Sequence, residues 1–92
     1  MNDPVQDLQQ AVNIGPVLAR ELARAGFASI EELRSAGYIE VVRKLRAVNP
    51  ERDCMNSALA IAGAIRGVRW MQMPKPERAR ITAEVREAFP TG

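Results

Sequence analysis

The residues best placed to do chemistry lie in "NIGPVLARELAR", Asn13 to Arg24. Pro16 reads as the first residue of a helix, where its missing N–H costs nothing. The amides near Gly15, Val17 and Leu18 then lack intrahelical partners and sit at the positive end of the helix dipole. Gly15 carries no side chain to fend off a ligand, and Arg20 and Arg24 follow a turn apart. Amides and guanidinium groups at this spacing could hold an anion such as a nucleic-acid phosphate.

Other chemistry has little to build on. Cys54 is the lone cysteine and there is no histidine, so neither a Cys–His nucleophile pair nor a Cys–His metal set can form. The acidic residues are scattered rather than paired for acid–base work. The expectation is a protein that is not an enzyme and uses no metal or cofactor. A single cysteine fits a reducing compartment, and the acidic "MNDPVQD" start has no apolar core. The longest uncharged run, Cys54 to Ile65, is shorter than the roughly 20 apolar residues a membrane span needs. These features point to a cytoplasmic chain with no membrane partner.

Net charge is only +2, but its distribution is uneven. No acid occurs between Asp53 and Glu77, where Arg66, Arg69 and Lys75 form a secondary basic patch. Eleven of the 13 basic residues are arginine, the side chain that pairs best with phosphate and carboxylate.

Ninety-two residues make one domain. Few aromatics and abundant alanine favour helices. Asp3 and Pro4 open a first helix, with Val5, Leu8 and Val12 as its apolar stripe, and Asn13 ends it in a left-handed conformation. In the second helix Ile14, Leu18, Leu22 and Ala25 share a face, and Gly26 closes it. Ser29 with Glu32 is a capping box for a third, "IEELRSA". "IEVVRKLRAV" forms a fourth with Ile39, Val42 and Leu45 inward. Asp53 caps a fifth from about 54 to 67, apolar nearly all round and therefore central. One of its faces carries Met55, Leu59 and Ala62, and another Ala58, Ile61, Ile65 and Val68. A sixth, from about 75 to 89, turns Ile81, Val85, Ala88 and Phe89 inward. Trp70 reads as a lid on the core. No segment alternates as a strand would, so the fold class is all-α, a compact bundle of five to six short helices.

The corner Val12-Asn13-Ile14-Gly15, with Ala19 at the small position of the second helix and "GFASIEEL" after it, resembles a helix-hairpin-helix spanning about 4–25. Over roughly residues 8 to 80 the chain is also similar to the C-terminal domain of the TfoX (Sxy) competence regulators. That resemblance is carried by Asn13-Ile14-Gly15-Pro16, Ala25-Gly26-Phe27, Leu33 with Gly37, and Gly63-Ala64-Ile65-x-Gly67-x-x-Trp70. It implies a helix-hairpin-helix, SAM-like architecture and a role in transcription regulation linked to DNA transformation. The candidate nucleic-acid-binding residues are Asn13, Ile14, Gly15, Val17, Arg20 and Arg24, contacting DNA weakly and without sequence preference. Asn13 replaces the first glycine of DNA-binding hairpins but can adopt its backbone angle, whereas Val17, standing where a basic residue is common, and the acid Glu21 nearby weigh against strong binding. TfoX regulators also carry an α/β domain ahead of this one, for which 92 residues leave no room. The alternative is a protein-interaction module, its partner a transcription-regulatory protein and its hairpin purely architectural.

Overall fold

Residues 3–90 are described by the computed structural model. They form six α-helices and no strand: α1 (Pro4–Gln9), α2 (Pro16–Arg24), α3 (Ile30–Ala36), α4 (Tyr38–Val48), α5 (Cys54–Arg66) and α6 (Lys75–Ala88). A 3-10 turn, Trp70–Gln72, joins the last two. The all-α expectation holds.

Local chemistry sets most of the boundaries. Asp3 accepts from the Val5 amide, and Ser29 accepts from the Glu32 amide at the start of α3. Asp53 accepts from both Met55 and Asn56. Gly67 takes the left-handed conformation after α5 (φ +76°), and the Val68 amide reaches back to the Gly63 carbonyl at 2.9 Å. The Arg34 guanidinium donates to the Ile65 carbonyl at 2.9 Å, covering another open acceptor at that helix end.

Helix α5 runs through the middle, as its lack of a polar face requires. Its Ile61 and Ala64 join a core built from α1 to α4 around Leu8, Leu22, Leu33 and Leu45. Its Ala58, Leu59 and Ala62 join a second core with Val42, Met73, Ile81 and Val85. One helix therefore serves two apolar clusters, and its small residues let neighbours approach from both sides. Trp70 packs half-buried against the second cluster, as a lid would.

Three expectations need correction. Helix α1 stops at Gln9, with Gln10 as its cap, rather than continuing to Asn13. Asn13 is left-handed (φ +71°), but its angle serves the turn between the helices. Val41 is fully buried beside Val42 and Leu45, whereas Ile39 is only half-buried. Val68 does not extend the inner face of α5; it lies past the helix end and is exposed.

Candidate nucleic-acid interface

The corner between α1 and α2 is built around the Asn13 side chain. Its Nδ2 donates to the carbonyl oxygens of Val68 at 2.9 Å and Ala60 at 3.3 Å. Its Oδ1 accepts from the Trp70 amide at 3.3 Å. One carboxamide thus satisfies three backbone groups on α5 and the loop after it. Gly63 faces the same spot: a Cβ there would lie 2.4 Å from Asn13 Nδ2 and 2.6 Å from the Val68 oxygen. Asn13 and Gly63 are halves of one close approach.

Beyond Asn13 the chain turns outward. Ile14 is buried in the first core. Gly15 is exposed, acts as the N-cap of α2 with extended backbone (φ −90°, ψ −175°), and has nothing within 4 Å of where a Cβ would point. No side chain caps this helix. The Gly15 carbonyl accepts from Ala19 at 2.9 Å, while the amides of Val17 and Leu18 precede the first intrahelical bond.

Helical periodicity places Val17, Arg20 and Arg24 on one side of α2, opposite Leu18 and Leu22. All three are exposed, and neither arginine belongs to an ion pair among the described residues. Glu21, the acid beside them, bonds instead to Arg52 and to Asn49 Nδ2. Chiefly through the hydrogen bond from Arg52, its carboxyl is held below the usual range despite partial burial. The carboxylate is therefore neutralised chiefly by Arg52, with a smaller attraction from Arg24. Sequence reasoning missed Asn49 and Arg52 as partners, since 28 and 31 residues separate them from Glu21.

The six candidate residues thus separate. Gly15, Val17, Arg20 and Arg24 share an exposed surface; Asn13 and Ile14 point inward and position it. The secondary patch separates as well. Arg66 pairs with Glu77, Lys75 opens α6, and Arg69 lies exposed between the two residues that Asn13 grips, so the structure brings Arg69 to the hairpin corner. Among the described residues no group of three or more His, Cys, Asp or Glu is placed to hold a metal ion, and no helix is long and apolar enough to cross a membrane.

A helical hairpin braced on a central apolar helix defines a small all-α domain. The chain belongs to the TfoX C-terminal domain family, whose sequence pattern matches residues 4–85. It is also similar in structure to an uncharacterized protein from Listeria monocytogenes, solved in a triclinic crystal form. That protein is 26% identical to it with a TM-score of 0.79, over 87% of this chain and 90% of that one. None of the curated proteins compared with the chain matches it.

Proposed function

We propose that this TfoX C-terminal-type domain is a non-enzymatic binding module of transcription or competence regulation, and that α2 meets DNA through the phosphate backbone. The observation that carries the reading is the open start of α2: an exposed Gly15 cap with no side chain over it. Among the described residues the two arginines on that face belong to no ion pair, and Glu21 pairs with Arg52. A site of this kind touches about two or three phosphates and reads no base edges, so binding is weak and indifferent to sequence. Affinity for a short duplex should fall roughly 10- to 40-fold between 50 and 200 mM salt. Amide NMR titration with duplex DNA tests this directly. Shifts confined to residues 15 to 24 and sensitive to salt support it; no shifts at low salt sink it.

The inward turn of Asn13 favours a second reading, in which the hairpin is architecture and the domain binds protein. DNA titration separates the two, since on that reading the amides of Val17 and Leu18 meet only water.

A further inference from the structure

Among the described residues three large apolar side chains are exposed: Val17 at 57%, Val68 at 39% and Met71 at 67%. Their distribution is not random. Val68 is itself gripped by Asn13, Met71 adjoins the gripped Trp70, and Val17 lies four residues beyond Asn13. The Asn13 brace therefore joins the two segments that carry all three. The loop is also held from within. Gln72 donates to the Arg69 carbonyl at 2.9 Å and Met73 to that of Trp70 at 3.2 Å, while the Met73 side chain is buried in the second core. With Met73 anchored inside, Met71 is presented outward on a constrained turn.

Along the chain, the charges flanking these residues have one sign. No acid occurs from Leu8 to Arg20 or from Cys54 to Pro76, whereas Arg20 and Arg69 are exposed there. The acid that follows, Glu77, is paired with Arg66. Apolar side chains gain nothing from a phosphate chain but are buried by an apolar ridge, and methionine with arginine is the composition that protein interfaces favour.

We propose that the surface formed by Val17, Val68, Arg69 and Met71 docks an acidic amphipathic helix of a partner protein. The apolar stripe of that helix covers Val68 and Met71, and its carboxylates meet Arg69 and Arg20. This goes beyond the DNA reading and stands whether or not the Gly15 corner meets phosphate. Complementarity of charge selects the partner: a basic helix with the same apolar face is rejected by Arg69 and Arg20.

The test titrates the full chain, by amide NMR, with three probes at physiological salt: a designed amphipathic helix with a Leu stripe and Glu elsewhere, its Lys counterpart, and a short duplex DNA. The acidic helix should shift Val17 and Val68 to Met71 while the Lys version leaves them unmoved. Met71→Ser and Arg69→Glu should each weaken the acidic helix about tenfold or more with an unchanged melting temperature. Both side chains are exposed, so loss of folding does not mimic the result. The proposal is overturned if neither peptide moves these amides or if the two bind alike. It is equally overturned if duplex DNA alone moves them, which gives the loop to the nucleic-acid surface. Concentration-dependent dimerisation abolished by Met71→Ser also overturns it, making a second copy the occupant.

Discussion

Helices α2 and α5 begin in opposite ways. At α5 the Asp53 carboxylate receives the amides of Met55 at 2.9 Å and Asn56 at 3.3 Å, closing the helix start with the chain's own anion. At α2 the cap is Gly15, and the nearest polar side chain, Asn13, faces the other way to brace α5. The contrast separates two uses of the same backbone feature. A start that only needs stability carries its own acceptor; the start of α2 forgoes one, and the polar residue that could have served it is committed to tertiary structure. An open helix end is thus left at the surface on a rigidly held corner.

The contrast can be broken most forcefully at Gly63. Gly63→Leu puts side-chain atoms where Asn13 Nδ2 and the Val68 carbonyl already lie, and should destabilise by about 3 kcal/mol or more. Ala11→Leu, at a half-buried position beside the first core, should cost clearly less. Denaturant unfolding of the two variants checks this, and equal midpoints would dissolve the Asn13–Gly63 approach.

Asn13→Ala comes next. It removes three hydrogen bonds and puts a less tolerant residue at φ +71°, for an expected loss of about 2–3 kcal/mol. Asn13→Gly restores the backbone freedom alone. If Gly proves as stable as Asn, the conformation mattered and the brace did not.

Asp53→Ala should cost about 1 kcal/mol, the usual worth of an N-cap. Gly15→Asp gives the smallest effect and the sharpest comparison. The site is open, and an added carboxylate can cap α2 as Asp53 caps α5, stabilising by a few tenths of a kcal/mol. The same carboxylate should abolish whatever DNA binding the wild type has. A variant slightly more stable yet silent toward DNA is the outcome expected; one that binds DNA undiminished would move the contact away from α2.

How legible these features were depends on the distance over which each is decided. Helix α3 was readable because Ser29 and Glu32 settle it within one turn, and α5 because its residues leave no polar face. The end of α1 was misplaced because Gln10 to Val12 keep a helix-compatible composition. The chain leaves the helix early to deliver the Asn13 amide to Ala60, Val68 and Trp70, and no local window contains those partners. The same limit hid the fate of Glu21. In sequence it is an acid weakening a basic face, whereas Arg52 and Asn49 turn it into a neutralised strut. Val68 was assigned to the interior because it continues the α5 periodicity, but Gly67 breaks the register one residue earlier. Within the candidate site, the shared exposed surface of Gly15, Arg20 and Arg24 could be read from helix chemistry; the inward course of Asn13 and the arrival of Arg69 could not.

The brace also bears on the order of assembly. Asn13 reaches partners 47, 55 and 57 positions along the chain. Closing loops of that length carries an entropic cost that local helix formation does not meet, so the corner takes its final shape only once α5 has docked. A chain still emerging during synthesis, with α1 and α2 made but α5 unmade, has the sequence of the hairpin without its geometry. The geometry of this corner then arrives with the completed fold, and a surface near the N-terminal end of the domain is among the last to mature.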